Sequence, residues 1–156
     1  MAPMAHVPIN HPLRPVYRAL TGLAGLYLLL FGLAGSVAAR GLAAFERHDL
    51  PTVLGMPANP AFALLSIGAG AVILGGALIG RNLDFYINLV GGTAVLVVAL
   101  AMLTVMRTDA NILGFSMTSC IVWFIVGMVM LAGGLYGKVG SPAAAKAEEA
   151  FRHAAR

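Results

Sequence analysis

The chain has 156 residues, of which 60% are hydrophobic and only 10% are charged. Soluble domains carry about 25% charged residues, so a water-soluble fold is excluded, because a core of this size cannot absorb so much apolar surface. The formal net charge of +4 does not indicate nucleic-acid binding, since the basic residues flank apolar stretches. The single cysteine, Cys120, excludes an intramolecular disulfide and a thiolate metal cluster.

Four long stretches of the chain contain no acidic or basic residue: 19–39, 50–80, 85–106 and 110–137. A helix needs about 20 predominantly apolar residues to cross the hydrocarbon core of a bilayer. The pattern therefore predicts membrane spans at about 16–39, 60–80, 85–106 and 111–137. An amino-terminal arm, 1–15, precedes this membrane domain of residues 16–137, and a tail, 138–156, follows it.

Local signals predict where the helices begin and end. Asn59 suits the N-cap of the second span, with Pro60 in its first turn, and Gly80 suits its C-terminus. Asp84 is the expected N-cap of the third span, and the fourth is expected to start around Asn111. In the tail, Ser141 followed by Pro142 predicts a short helix.

The connections predict the order of the helices in space. Residues 80–84 and 107–111 form tight turns, so the second, third and fourth spans should run up and down. The first connection, 40–59, is rich in apolar residues and is expected to lie on the membrane interface, without one continuous helix because of Pro51 and Pro57. The predicted fold class is an all-α, four-helix transmembrane bundle with up-down topology and a short cytoplasmic C-terminal helix or tail.

Basic residues predict the orientation. One side of the predicted membrane has seven lysines and arginines, and the other has three. The first set is Arg14, Arg18, Arg81, Lys138, Lys146, Arg152 and Arg156, and the second is Arg40, Arg47 and Arg107. The excess predicts cytoplasmic termini and a multi-pass protein of the plasma membrane. A cleavable signal peptide ending near residue 39 is the alternative for the first span, but its apolar run is too long for one.

Small residues predict which helix faces pack together, because they let helix backbones approach closely in lipid. On the second span, Ser66, Gly70, Ala77 and Gly80 share one stripe, and Gly68 and Gly75 belong to a second stripe on the far side. A helix with two such faces should contact two neighbours, so we expect the second span to be central.

Residues for membrane chemistry are scarce. The four uncharged stretches hold no acid, base or histidine, and the histidines are His6, His11, His48 and His153. An ionisable group inside the membrane is a functional hypothesis by default, so its absence argues against an enzyme, a cofactor site or a metal site. Outside the spans, residues 46–49 bring acid, base and histidine together, but such a run is more typical of a solvated segment.

Polar residues inside the spans leave two interpretations open. Ser66, Thr104, Ser116 and Ser119 all fall in the predicted outer half of the bilayer. They would line a shallow polar pocket or, as we favour, form hydrogen bonds between helices or to their own backbone. Asn88 is expected to join helices rather than bind a ligand, and the indole N–H of Trp123 is expected to find a Ser or Thr partner.

Several ordered motifs give the chain a resemblance to a known group. They are residues 10–15 (NHPLRP), 59–62 (NPAF), 80–84 (GRNLD), 107–111 (RTDAN) with 114–117 (GFSM), and 134–138 (GLYGK). Together they resemble a family of small bacterial four-span membrane proteins known only as a domain of unknown function. The resemblance covers residues 6–140. It implies the fold and a membrane location, and it assigns no catalytic or ligand residue.

The expected function is therefore non-catalytic. The small-residue faces indicate an accessory subunit or scaffold that packs against other membrane helices, either of another membrane protein or of a second copy, with membrane lipid around it. The alternative is a transport or binding protein for a lipid or another small molecule, with a pocket between the helices. No nucleic-acid partner and no cofactor are expected.

Overall fold

The computed structural model describes residues 8–154 and shows five helices in that part of the chain. They are α1 (Arg14–Ala38), α2 (Pro60–Ile79), α3 (Arg81–Val105), α4 (Met117–Tyr136) and α5 (Pro142–Ala154). The first four are long and apolar enough to cross a membrane. The predicted all-α, four-helix membrane fold is confirmed.

Glycines set the closest contacts between the helices. A Cβ atom added to Gly32 on α1 would lie 2.6 Å from the carbonyl oxygen of Ala63 on α2. One added to Gly134 on α4 would lie 2.7 Å from the backbone nitrogen of Leu89 on α3. A side chain would not fit at either glycine, so α1 contacts α2, and α4 contacts α3, through their backbones. Helices α1 and α4 join the pairs into one bundle.

The ends of α2 follow from local chemistry, as predicted. The side chain of Asn59 accepts a 2.8 Å hydrogen bond from the backbone N–H of Phe62, and Pro60 occupies the first turn. Gly80 ends the helix with a φ of +71°, a left-handed conformation that strains other residues. The chain reverses here over two residues, because Arg81 also has a positive φ, of +59°.

Helix α3 begins earlier than the sequence indicated. It starts at Arg81, directly after Gly80, so the prediction that Asp84 precedes the helix as its N-cap is wrong. Asp84 lies in the first turn, where a carboxylate also interacts favourably with the positive end of the helix dipole. Its residue type fits both positions, and the reversal at Gly80 decides between them. A π-helical segment, Ile87–Gly91, follows within α3.

Helix α4 begins later than predicted. Its N-cap is Ser116, which forms a reciprocal capping box with Ser119. Asn111, the expected start, instead holds the preceding loop together. Its side chain donates hydrogen bonds to the carbonyls of Met106 and Phe115 at 3.1 and 2.9 Å. The loop therefore extends from residue 106 to residue 116.

One end of the bundle, which we call the hairpin end, consists of residues 39–59 and 106–116. A short hairpin, with strands β1 (Thr52–Val53) and β2 (Met56–Pro57), folds back over this end. Met56 is fully buried there. Beneath it lies an aromatic cluster, in which the ring centroids of Phe62 and Phe115 are 4.6 Å apart and those of Phe62 and Trp123 are 5.7 Å apart.

The opposite end, which we call the arginine end, consists of Arg14, Arg18, Arg81 and Asp84 with residues 8–12 and 137–141. The backbone N–H of Asn10 donates to the carbonyl of Lys138 at 3.0 Å, which ties the arm to the end of α4. The basic residues assigned to one side of the membrane in α1, α3 and the end of α4 thus share one end of the bundle.

The carboxyl-terminal helix α5 belongs to the arginine end. As predicted, it begins at Pro142, and the hydroxyl of Ser141 accepts a hydrogen bond from the backbone N–H of Ala144 at 3.2 Å. The carboxylate of Glu148 accepts a 3.0 Å bond from the backbone N–H of Ile9. Helix α5 therefore folds back against the arm.

Candidate functional site

The first predicted stripe of α2 packs against α1. Ser66 is fully buried, and Ala77 and Gly80 are buried as well. A Cβ atom added to Gly70 would lie 2.7 Å from the carbonyl oxygen of Gly25, too close for a real side chain. This face of α2 is therefore used within the chain.

The second predicted stripe is open. A Cβ atom added to Gly68 or Gly75 would meet nothing within 4 Å. Beside Gly68 lies an apolar groove of about 500 Å³ between α2 and α3. We call it the α2–α3 groove; it is lined by Leu64, Leu65, Gly68, Ala69, Val72, Ile73, Ile87, Gly91, Ala94, Val95 and Met130. The expected second contact is therefore not made through Gly68 and Gly75; α2 meets α3 instead beside Gly76, where an added Cβ would lie 2.7 Å from the side chain of Ile87.

The four hydroxyl residues proposed for a polar pocket form local hydrogen bonds. Ser66 donates to the carbonyl four residues earlier at 2.8 Å, and the exposed Thr104 donates to the carbonyl three residues earlier at 2.7 Å. Ser116 and Ser119 form the capping box of α4. These bonds satisfy all four groups, and none of the four residues lines the α2–α3 groove. A polar pocket stays a prediction.

A buried polar pair lies at the arginine end, where none was expected. Asp84 is only 2% exposed, and one of its carboxylate oxygens accepts a 2.6 Å hydrogen bond from the side-chain amide of Asn88. Asn88 is 1% exposed, and its Oδ1 accepts no hydrogen bond from the described residues. The pair lies within α3 rather than between helices, so Asn88 does not bridge two helices as expected.

Two arginines of α1 lie beside this pair and above a cleft. Arg18 donates hydrogen bonds to the carbonyls of Ala77 and, at 2.7 Å, of Leu78 in the last turn of α2. Arg14 donates to the carbonyls of Gly137 and Arg81 at 3.0 and 3.3 Å. Both guanidinium groups attract the Asp84 carboxylate through space.

The cleft below them, which we call the arginine cleft, has a volume of about 370 Å³. It is lined by Arg14, Pro15, Arg18, Ala19, Gly22, Leu74, Ala77 and Leu78. Its wall is apolar except at the two guanidinium groups. Sequence reasoning counted these arginines only for orientation. Their i,i+4 spacing places both side chains on one face of α1. This spacing is the sequence feature that could have indicated a shared site.

Trp123 does not find the polar partner that was expected. Its ring packs against Phe62 and Phe115 in the aromatic cluster, and its N–H has no hydrogen-bond acceptor among the described residues. The prediction of a Ser or Thr partner is wrong, because ring packing fixes the orientation of the indole. Cys120 is also buried, without a described base beside it.

Of the remaining candidate residues, His11 and His153 line one cleft of about 400 Å³ between the arm and α5, together with Glu149. His6 lies outside the described residues, His11 contacts the ring of Tyr136, and His48 lies at the hairpin end. His153 is on α5. Within residues 8–154, no group of three or more histidine, cysteine, aspartate or glutamate side chains could hold a metal ion.

The acidic and basic run at 46–49 belongs to an exposed loop. Arg47 forms an ion pair with Asp109 at 2.8 Å. Backbone N–H groups of Arg47 and His48 donate to the carboxylate of Glu46, which holds the pKa of Glu46 below its ordinary value. These contacts stabilise the loop, in the way that hydrogen bonds between side chains and backbone stabilise turns.

No protein family, curated protein or solved structure matches this chain. The resemblance of residues 6–140 to small bacterial four-span proteins is therefore still a prediction. The chain is a multi-pass membrane protein by the length and composition of its four helices.

Proposed function

We propose that this chain is a non-catalytic accessory subunit or scaffold, and that its α2–α3 groove receives a transmembrane helix of a partner membrane protein. The observation that carries the proposal is the contrast between the two faces of α2. Gly70 is covered by α1, whereas Gly68 and Gly75 face open space, and Gly68 lines the apolar groove.

Physical chemistry favours a helix as the occupant. Between membrane helices, attraction comes from close packing rather than from hiding apolar surface, so small residues mark contact faces. The α1–α2 contact in this chain already uses glycines in that way at Gly25 and Gly70. The same residue type on the open face supports a second contact of that kind.

The test is purification from native membranes in mild detergent, comparing the wild type with Gly68→Leu and Gly75→Leu. A leucine at either position fills the open face without disturbing the α1–α2 contact. We expect the wild type to carry a stoichiometric membrane partner that both variants lose. Ala34→Leu, on an exposed position of α1, is the matched control and should keep the partner.

Two results would refute the proposal. One is a wild-type protein that purifies alone and monomeric. The other is a partner that survives both glycine substitutions. Self-association that Gly68→Leu abolishes would identify a second copy of the chain as the occupant, and the partner-protein form of the proposal would then be wrong.

We also infer that the arginine end faces the cytoplasm of a bacterial plasma membrane, as the resemblance and the seven-to-three distribution of basic residues favour. Single cysteines placed at Lys138 and at Phe45, in a chain with Cys120 replaced by alanine, would test the orientation. A membrane-impermeant maleimide added to intact cells should label position 45 and not position 138. The reverse pattern would invert the topology.

The alternative function, binding or transport of a lipid or another small molecule, is favoured by a separate observation. The arginine cleft joins two cationic groups to an apolar wall. It lies between α1 and α2, away from Gly68 and Gly75, so both functions are compatible with one molecule.

A further inference from the structure

We propose that the arginine cleft binds one anionic phospholipid. The lipid phosphate would interact with Arg14 and Arg18, and the upper part of an acyl chain would lie against Gly22, Leu74 and Leu78. The proposal does not depend on the partner-helix hypothesis, because no residue of the arginine cleft lines the α2–α3 groove.

The charge of the arginine cleft favours an anionic ligand. The residues lining the cleft include two arginines and no acid. Among the described residues, neither Arg14 nor Arg18 forms an ion pair with a carboxylate; the ion pair between Arg47 and Asp109 lies at the other end. Asp84 attracts both guanidinium groups from farther away, but a single buried carboxylate leaves the site with net positive charge.

Hydrogen bonds hold the two arginines in place, which also favours the binding of an anion. Each donates two hydrogen bonds to backbone carbonyls at the ends of other helices. A guanidinium has five N–H donors in a rigid fork, so three donors remain on each side chain. Because the side chains are already ordered, less conformational entropy is lost when an anion binds.

Helix capping alone explains only part of this arrangement. Carbonyl groups at a helix C-terminus attract cations, and the dipole of one helix end corresponds to about half a negative charge. Arg18 at the end of α2 and Arg14 at the end of α4 each bring a full positive charge to such an end. Capping therefore accounts for the positions of the arginines, but it uses only two of the five N–H donors of each guanidinium and leaves the others for a ligand.

The depth and shape of the cleft favour a ligand that has an apolar part. Arg18 contacts the last turn of α2, and below it the wall is formed by apolar residues of α1 and α2. Gly22 leaves room there, since an added Cβ would only touch Ala77 at 3.4 Å. Tyr17 and Tyr136 stack at the same end, with ring centroids 4.9 Å apart, as residues of a membrane interface do.

A free phosphate would use the guanidinium groups but not the apolar wall. A phospholipid has both parts, an anionic phosphate next to apolar chains, and basic pockets between transmembrane helices are a recognised form of lipid site. The combination therefore favours a lipid over a soluble anion.

The experiment is native mass spectrometry of the full-length protein in mild detergent, titrated with phosphatidylglycerol or with phosphatidylcholine of the same acyl chains. We expect a single bound phosphatidylglycerol to predominate, and phosphatidylcholine to bind more weakly. Arg14→Gln and Arg18→Gln should each weaken phosphatidylglycerol binding about fivefold, which corresponds to about 1 kcal/mol per basic residue near an anionic lipid. Gly22→Leu should weaken phosphatidylglycerol binding, because the leucine side chain would fill the space beside the apolar wall.

Controls separate the lipid site from general effects. Arg40→Gln, at the hairpin end, should leave binding unchanged, and thermal unfolding of each variant would show that it is folded. If Arg18→Gln does not fold because a helix end loses its cap, Arg14→Gln and Gly22→Leu test the same cleft. Equal binding of the two lipids, or unchanged binding in both of these variants, would overturn the proposal. Full competition by glycerol 3-phosphate would also overturn it, because the site would then recognise only a phosphate.

Discussion

The hairpin end and the arginine end hold the same bundle together by different means. At the hairpin end, aromatic rings pack around Phe62, and the hairpin covers them with the fully buried Met56. At the arginine end, a buried carboxylate and two guanidinium groups occupy the corresponding position. Tight apolar packing stabilises a fold without creating a site, whereas a buried ionisable group in a membrane helix is costly and is by default a functional hypothesis.

Unpaired polar groups sharpen this comparison. Each end contains one buried polar atom without a hydrogen-bond partner among the described residues, Nε1 of Trp123 at the hairpin end and Oδ1 of Asn88 near the arginine end. The indole ring of Trp123 packs against the rings of Phe62 and Phe115, with centroids 5.7 and 5.5 Å away. The amide oxygen belongs to a polar pair beside two cations.

The largest expected effect is at the hairpin end. Phe62→Ala removes the ring that contacts Phe31, Phe115 and Trp123, and we expect it to lower the free energy of unfolding by about 4 kcal/mol. Thermal or denaturant unfolding in mild detergent would measure this loss. Phe45→Ala, at a position on the same end that is 57% exposed, is the control and should change stability little. Equal losses in both variants would show that the ring cluster is not the core.

A smaller loss is expected at the arginine end. Asp84→Leu leaves the side-chain amide of Asn88 without an acceptor and removes the carboxylate that attracts both arginines, so we expect a loss of about 3 kcal/mol. Asp84→Asn should cost less, because its carbonyl oxygen can still accept the bond.

Asp109→Asn provides the matched carboxylate at the hairpin end. Asp109 is fully exposed in its ion pair with Arg47, and such pairs contribute at most about 1 kcal/mol. If Asp84→Leu proved as mild as Asp109→Asn in the same unfolding assay, the buried pair would not stabilise the arginine end.

Loops at the hairpin end depend on one amide. Asn59 caps α2, and its side chain also donates to the carbonyls of Glu46 and Ile112 at 2.9 and 3.0 Å. Asn59→Ala removes the cap and leaves two carbonyls unsatisfied, for an expected loss of about 2 kcal/mol. Asn59→Asp keeps the cap and loses the two donations, so intermediate stability would separate the two roles. A harmless Asn59→Ala would show that water replaces all three bonds.

Local chemistry made part of this architecture predictable. Asn59, Gly80 and Ser141 act on residues next to them in sequence, and each marks a helix end where it was expected. Asp84 was misplaced because the same residue type suits an N-cap and a first turn, and only the backbone of Gly80 distinguishes them. The sites depend on distant contacts. Gly68 and Gly70 are alike in sequence, yet only the position of α1 makes one buried and the other open.

The arginine cleft could not be predicted for the same reason. Its cations come from α1 and its opposite wall from α2, at positions about sixty residues apart. Charge counting assigns Arg14 and Arg18 to one side of the membrane without revealing that backbone carbonyls of other helices hold them. The sequence thus predicts on which side of the membrane these arginines lie, and only the packed structure shows the cleft that they share.

The smallest expected effect is a pH dependence at the hairpin end. Two backbone N–H groups donate to the Glu46 carboxylate and lower its pKa from an ordinary value of 4.5. Because the folded-state pKa lies below the unfolded one, the contribution is present above the unfolded pKa and is lost as the pH falls through the folded pKa. Glu46→Gln should therefore reduce the acid sensitivity of thermal unfolding slightly, since both hydrogen bonds are exposed to solvent. An identical acid profile in wild type and variant would show that these bonds do not persist in solution.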